Sequence, residues 1–144
     1  MQKLTTSEKA QAFVALQMLV NDFFRALDDN RIDDLIALFV PDGEWARPAG
    51  NLRGPDAIRG DLANRPAGRT SRHLTSNLRI LDLAGDRCRF AYNLSTYSGF
   101  ASGEGPLDLT GPSGVLDCED VAVETADGWL FQRRSATPIF RRKP

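Results

Sequence analysis

The chain has 144 residues, 42% of them apolar and 26% charged, which is typical of one globular domain with a sizeable core. Its 18 basic and 19 acidic residues leave a formal charge of -1, so no net basic field exists to attract a nucleic acid. Because no segment approaches the roughly 20 apolar residues of a membrane span and residues 1–7 lack a signal-peptide pattern, we expect a cytoplasmic domain over residues 1–144 with no nucleic-acid or membrane partner.

The N-terminal part of the chain has the periodicity of an amphipathic helix. Thr6 or Ser7 can cap this helix, and apolar residues at helical spacing predict its buried face: Phe13, Leu16, Val20, Phe23, Phe24 and Leu27. Asp28 follows four residues after Phe24 and therefore lies at the C-terminal edge of that face. A carboxylate is unfavourable near the negative end of a helix dipole, so Asp28 is either solvated or held there by another partner.

Two shorter helices are predicted next. The first spans about Ile32 to Phe39 and is broken by Pro41-Asp42-Gly43, after which Glu44–Ala46 favours a short strand. Gly54-Pro55 leads into the second, which is predicted to end near Arg65-Pro66.

The second half of the chain changes to long strands. Tight-turn signals at Ala84–Asp86 and Ala126–Gly128 predict two hairpins, whose strands are Ser71–Leu83, Arg87–Gly99, Val115–Thr125 and Trp129–Phe140. The Gly- and Pro-rich segment Ala101–Gly114 predicts a long loop that could cover a cavity mouth. The pattern predicts an α+β fold, with three N-terminal helices packed on a curved, mainly antiparallel sheet around an apolar cavity for a small molecule.

His73 is the only histidine, and imidazole is the one unperturbed side chain that changes charge between about pH 5 and 8. Asp117, Glu119 and Asp120 split between the two faces of one predicted strand, which favours solvated or interstrand roles. Cys88 and Cys118 lie in strand-like runs and are predicted to be buried reduced thiols. No metal-ligand spacing and no phosphate-loop motif is visible, so we expect neither a metal nor a cofactor.

The alternation of the predicted strand raises a question about His73. Strict alternation puts His73 on the same face as Asn77 and Arg79, which is mostly polar, and puts Leu78 on the other. A catalytic His73 therefore requires either a polar patch in the cavity or a β-bulge that changes the alternation.

Several segments resemble the SnoaL-like branch of the nuclear-transport-factor-2-like superfamily. They are Ala26-Leu27-Asp28, Ile32–Gly43, Gly54–Ile58, His73–Ile80 and Asp127–Trp129. The resemblance implies a cone-shaped fold and a homodimer formed through the outer face of the sheet.

A closer resemblance is to the scytalone dehydratase and hexachlorocyclohexane dehydrochlorinase types, and it implies that Asp28 pairs with His73. The dehydrochlorinase pattern also implies Arg134 as a third group, with Arg133 as the alternative one residue away. Two departures keep either substrate from being carried over. Phe23 stands where the dehydrochlorinases have a lysine, and the second histidine of the dehydratases is missing.

The resemblance implies a cofactor-independent lyase or isomerase that acts on a small, largely apolar ring compound. His73 would be the base, Asp28 would orient it, and Arg134 would stabilise developing negative charge. The alternative is a non-catalytic member, either a small-ligand carrier or an assembly subunit like the β subunit of ring-hydroxylating dioxygenases. A dyad within hydrogen-bond reach at an open, mostly apolar pocket would favour the enzyme.

Overall fold

Helix α1 (Thr6–Asp28) is the longest helix and forms one side of the core. The structure, a computed structural model, describes residues 3–144, so Met1 and Gln2 lie outside the described residues. The cap of α1 is Thr5 and not Thr6 or Ser7. The Thr5 hydroxyl accepts a hydrogen bond from the backbone of Glu8, and the Glu8 carboxylate accepts one from the backbone of Thr5. Of the predicted apolar face only Phe13 is exposed, at 40%.

The segment after α1 differs from the prediction. Helix α2 (Ile32–Ile36) is shorter than predicted, and the strands β1 (Phe39–Arg47) and β2 (Gly50–Arg53) precede helix α3 (Gly54–Leu62). Three helices precede the four long strands, but two strands come before α3, where only the short strand Glu44–Ala46 was predicted.

Strand β1 contains the Pro41-Asp42-Gly43 segment that was predicted to be a break. Its pairing with the last strand shifts register between Phe39 and Glu44, and this irregularity accommodates a proline that has no N–H to donate. Gly43 is needed at this point, since a Cβ there would lie 2.9 Å from Cδ1 of Phe39.

The four long strands agree with the prediction. They are β3 (Arg69–Ala84), β4 (Arg87–Phe100), β5 (Gly114–Thr125) and β6 (Gly128–Arg141), and each predicted boundary lies within two residues of the observed one. They form an antiparallel meander, as the turn signals predict. The six strands make one mixed sheet in the order β2-β1-β6-β5-β4-β3, in which only the β1–β6 pair is parallel.

The core lies between α1 and the sheet. Its largest fully buried apolar side chains come from α1, α2, α3, β4 and β6: Tyr92, Phe23, Phe90, Phe131, Leu16, Leu35, Ile58 and Val20. Cys88 and Cys118 are buried free thiols, in agreement with the prediction. Among residues 3–144, no helix combines the length and apolar character needed to cross a membrane.

The long loop between β4 and β5 does not cover the cavity beside His73. Its residues Leu107, Asp108 and Leu109 line a separate pocket with Arg72 and Tyr97 at the end of the β3–β4 hairpin. The loop packs there because the side chain of Leu107 fits against the backbone of Gly99, where a Cβ would approach it to 3.0 Å.

Candidate active site

Asp28 and His73 meet at the point where the last turn of α1 crosses β3. Nδ1 of the His73 imidazole lies 2.6 Å from Oδ1 of Asp28, and the backbone N–H of His73 donates to Oδ2 at 3.1 Å. The Asp28 side chain is 5% exposed and the His73 side chain 14%. Asp28 lies where the helical pattern put it, and the two contacts fix its carboxylate against the Nδ1 edge of the imidazole.

A second hydrogen-bond chain reaches the same carboxylate. The Ser71 hydroxyl donates to Oδ1 of Asp28 at 2.9 Å, and Nη2 of Arg65 donates to the Ser71 hydroxyl at 3.0 Å. Nη1 of Arg65 donates to the carbonyl of Leu27 at 2.5 Å and so holds the end of α1. Neither Ser71 nor Arg65 was predicted from the sequence to belong to this site. The signal for Ser71 was its position two residues before His73, which puts it on the same face of a strand.

Asp28 is held in its ionised form. Burial alone would raise the pKa of this carboxyl, but the hydrogen bonds and charge of His73 and the hydrogen bond from Ser71 outweigh burial and lower the pKa below its usual value. A carboxylate at the C-terminal end of α1 is unfavourable next to the helix dipole, and these partners explain why Asp28 is nevertheless charged there.

The carboxylate also fixes the imidazole tautomer. Since an ionised carboxylate can only accept, the proton of a neutral His73 ring resides on Nδ1 and Nε2 keeps a free lone pair. Nε2 makes no hydrogen bond to any residue in 3–144. It is also not fully buried, since the one fully buried unpaired side-chain atom in that range is Nε of Arg47. Nε2 is therefore open to a ligand.

A β-bulge turns His73 toward the helix side of the sheet. The β3–β4 register shifts between Ser76 and Arg79, and Asn77 has a φ of 59° in the left-handed region. Before the bulge Ser71, His73 and Thr75 are the less exposed residues, and after it Leu78 and Ile80 are. The bulge thus puts a polar half-strand at the site and an apolar half-strand in the core, on one face of the sheet.

His73 lines a cavity of about 280 Å³ between α1 and the sheet. Most of its wall is apolar, and its remaining lining residues include Phe24, Leu27, Trp45, Leu94, Leu116, Cys118, Arg134 and Ala136. The ring of Phe24 stacks on the His73 imidazole, with centroids 5.0 Å apart and an interplanar angle of 18°. A larger groove of about 440 Å³ lies at the other end of α1, around Glu8 and Trp129, and touches neither member of the dyad.

Arg134 reaches the same cavity from β6 but is held by other residues. Its Nε donates to Oδ2 of Asp120 at 3.2 Å, and its Nη2 donates to the Tyr92 hydroxyl, which in turn donates to Asp120 at 2.7 Å. Its guanidinium lies 3.7 Å from the ring centroid of Phe23. Arg133 instead projects from the opposite face of the sheet, where its Nε lies 3.5 Å from Oε2 of Glu44. Of the two arginines, Arg134 is the one that faces the cavity.

The Arg134 group is permanently charged and buried. Burial alone would lower the pKa of Arg134, but the Asp120 carboxylate beside it outweighs burial and raises that pKa. Burial raises the pKa of the Tyr92 hydroxyl and, to about 12, that of the Cys118 thiol. Of the solvated and interstrand roles expected for Asp120, the interstrand role is confirmed, because its fully buried side chain accepts hydrogen bonds from Tyr92 on β4 and Arg134 on β6.

Asp120 and Tyr92 hold Arg134 at the candidate site, and this arrangement was not predicted from the sequence. A usable signal was the alternation on β5, where Asp120 stands between the buried small residues Cys118 and Ala122 and so shares their inward face. Within residues 3–144, no three His, Cys, Asp or Glu side chains lie close enough together to hold a metal ion.

A family model for the SnoaL-like domain matches residues 8–135 of the sequence. The chain belongs to the SnoaL-like family. The resemblance to this branch of the nuclear-transport-factor-2-like superfamily is thereby confirmed. No curated protein is similar enough in sequence to match this SnoaL-like protein.

Three solved structures show how widely the fold is shared. A protein described as a candidate scytalone dehydratase, from Novosphingobium aromaticivorans, is 23% identical, with a TM-score of 0.76 over 94% of this chain and 89% of that one. A type 2 hexachlorocyclohexane dehydrochlorinase is 16% identical, with a TM-score of 0.72 over 97% and 98%. ActVI-ORFA from Streptomyces coelicolor is 18% identical, with a TM-score of 0.76 over 90% and 98%. At these identities the likeness shows the fold alone.

Proposed function

We propose that this SnoaL-like protein is a lyase or isomerase that transfers protons with its side chains and acts on a small, largely apolar ring compound. The observation that carries the proposal is the 2.6 Å contact between Asp28 and His73 at the wall of a mostly apolar cavity. The dehydratase and the dehydrochlorinase among its structural relatives support a lyase-type reaction.

His73 acts as the general base in this proposal. Its Nε2 removes a proton from a substrate carbon, and the imidazolium that forms is stabilised by the Asp28 carboxylate on Nδ1. The electron pair left on carbon then expels a leaving group at the neighbouring carbon, which is a β-elimination, or is reprotonated elsewhere, which is an isomerisation. An enolate formed in the same way could instead close a ring.

Arg134 serves as an electrostatic group in the same reaction. It lines the cavity, and its Nη1 makes no hydrogen bond to any residue in 3–144. A guanidinium held rigidly by Asp120 and Tyr92 presents fixed positive charge to an enolate oxygen or a departing anion without reorganising during the reaction. Arg134 therefore contributes to the rate as well as to the fold.

Proton exchange from carbon tests the proposal before the substrate is known. Ring ketones, β-hydroxy ring ketones and halogenated ring compounds are incubated with the protein in D₂O, and loss of the C–H signal is followed by NMR. We expect at least one compound to exchange faster than in buffer, and His73→Gln to slow that exchange by about 10²–10⁴-fold. His73→Gln must retain the thermal unfolding transition of the parent protein.

Two outcomes would contradict the proposal. Exchange that persists unchanged in His73→Gln would remove His73 as the base. Compounds that bind in the cavity without any exchange would favour the alternative of a non-catalytic small-ligand carrier.

A further inference from the structure

A second chamber of about 340 Å³ adjoins the apolar cavity. The two share Leu27, Trp45, Arg47 and His73, so the imidazole lies at their junction. The remaining wall of this outer chamber comes from the end of α3 and the start of β3: Asp61, Leu62, Asn64, Arg65, Pro66 and Arg69. The inner cavity is mainly apolar, whereas the outer chamber is lined by charged and amide side chains.

Positive charge exceeds negative charge in the outer chamber. Of its three arginines, Arg47 is neutralised by Asp61 through two hydrogen bonds of 2.7 and 2.9 Å. Arg65 binds the Leu27 carbonyl and the Ser71 hydroxyl and has no carboxylate within ion-pair distance. Arg69 makes neither an ion pair nor a side-chain hydrogen bond within the described part of the chain. Two guanidiniums therefore share one chamber without an acidic partner of their own.

Arg65 and Arg69 are close enough to repel each other. Burial lowers the pKa of Arg65, and the charge of Arg69 lowers it further, while Asp28 offsets only part of this. Arg69 lies on the same face of β3 as Ser71 and His73, since they are two and four residues apart before the bulge, and it is exposed at the rim of the outer chamber. A bound anion would relieve this repulsion directly beside the imidazole.

Arg47, at the junction of the two chambers, has a buried hydrogen-bond donor without a partner. Nε of Arg47 is the one fully buried side-chain nitrogen or oxygen within residues 3–144 that lacks a hydrogen-bond partner. Because this atom has no accessible surface, a ligand in either chamber cannot reach it, and the buried donor of Arg47 adds nothing to anion binding. Its guanidinium also lies 5.2 Å from the Trp45 ring, which the inner cavity shares.

We propose that the outer chamber is a carboxylate subsite, so that the substrate is a ring compound that carries a carboxylate. The ring occupies the inner cavity, the carboxylate binds Arg69 with support from Arg65, and the carbon next to the carboxylate-bearing position meets His73 at the junction. A planar carboxylate fits the guanidinium fork, whereas a phosphate dianion would place a second negative charge near Asp61. The subsite rests on the proposed function for its reaction, but binding alone can test it.

Two probes of the same shape distinguish the contribution of the carboxylate charge to binding affinity from that of the ring. 1-Naphthoate carries the carboxylate, and 1-naphthamide is its neutral analogue. We expect the parent protein to bind 1-naphthoate about tenfold more tightly than 1-naphthamide by calorimetry, because hydrogen bonds to a charged group are the stronger class. Both probes should shift the signals of the single imidazole, which places their ring at the junction.

Arg69 variants assign the difference to the outer chamber. Arg69→Gln should reduce the affinity for 1-naphthoate to that for 1-naphthamide and leave 1-naphthamide binding unchanged, while Arg69→Lys retains part of the preference. Arg72→Gln is the matched control, since Arg72 is exposed on the opposite face of β3 and loses the same charge. It should change neither affinity by more than about twofold.

The proposal and the lyase activity can fail separately. Equal affinity for the two probes in the parent protein, binding of neither probe, or an equal loss in Arg72→Gln and Arg69→Gln would each overturn the carboxylate subsite. A preference for 1-naphthoate that depends on Arg69, in a protein that exchanges no substrate proton, would uphold the subsite and remove the proposed reaction.

Discussion

Within residues 3–144, Asp28 and Asp120 have carboxylates with little or no exposed surface, and their partners differ. Asp28 pairs with an imidazole, which can gain or lose a proton, and that imidazole is open to the cavity. Asp120 pairs with a guanidinium, which stays protonated, and both its oxygens are hydrogen-bonded by Tyr92, Arg134 and the backbone of Ser135. A carboxylate with a titratable, accessible partner suits proton transfer. A carboxylate that is paired with a permanent cation in a fully hydrogen-bonded network is suited to stabilising the fold and to providing a fixed electrostatic field.

One aromatic ring joins the two regions. Phe24 stacks on His73 at 5.0 Å, and the guanidinium of Arg134 lies 4.8 Å from the same ring. The Asp28–His73 pair, called the open pair below, and the Asp120–Tyr92–Arg134 group, called the closed network, are therefore neighbours in one cavity wall. The two carboxylates differ in the chemistry of their partners and in burial. Variants that affect one region and spare the other should separate them.

The largest effect on stability is expected in the closed network. Arg134→Met leaves Asp120 buried without its cation, which should lower the free energy of unfolding by about 3–5 kcal/mol in urea titrations. Arg133→Met is the control. It removes an exposed arginine next in sequence and should change stability by about 0.5 kcal/mol or less. A loss below about 1 kcal/mol for Arg134→Met would mean that the closed network is not a structural centre.

A smaller loss of stability is expected at the bulge that orients the open pair. Asn77→Val should destabilise the protein by about 1–2 kcal/mol, because a β-branched residue tolerates the left-handed conformation poorly, whereas Asn77→Gly should be close to neutral. Thermal unfolding of the two variants measures this. If both unfold with the parent protein, the bulge does not depend on the conformation of residue 77.

The smallest effect is a pH dependence of stability in the acid range, where Asp28 titrates. Its pKa is lowered on folding, so its charge adds stability that is fully present above the unfolded value of 3.8 and is lost as the pH falls through the lower folded value. The difference in stability between the parent protein and Asp28→Asn, measured in unfolding titrations, should therefore be present near pH 5 and close below about pH 4. A gap that widens on acidification would have the wrong sign.

The pair itself could be predicted from the sequence, because helical spacing put Asp28 at the edge of an apolar face and the family resemblance connected it to His73. The orientation of His73 could not. Strict alternation from His73 puts Leu78 on the wrong face, and only the bulge at Asn77 reconciles the two. Asparagine is one of the few residues that tolerate a left-handed conformation, so its position in a strand was a weak local signal.

The closed network could not be predicted from local sequence pattern, for a different reason. Asp120 was predicted to be solvated or interstrand, but its partners Tyr92 and Arg134 could not be identified because they come from two other strands. Only the register of β4, β5 and β6 brings these three residues together. In the same way β1 extends through Pro41–Gly43 because β2 and β6 pair with it on either side, which local turn propensity cannot show.

The most direct test of the Asp28–His73 pair is the tautomer of the neutral His73 ring, read from its two ring ¹⁵N shifts. The chain has one histidine, so one set of signals reports it. The account predicts a proton on Nδ1 and a free Nε2 in the parent protein, and a mixture of tautomers in Asp28→Asn. A proton on Nε2 in the parent protein, or the same tautomer in both proteins, would contradict the claim that Asp28 prepares His73 as a base.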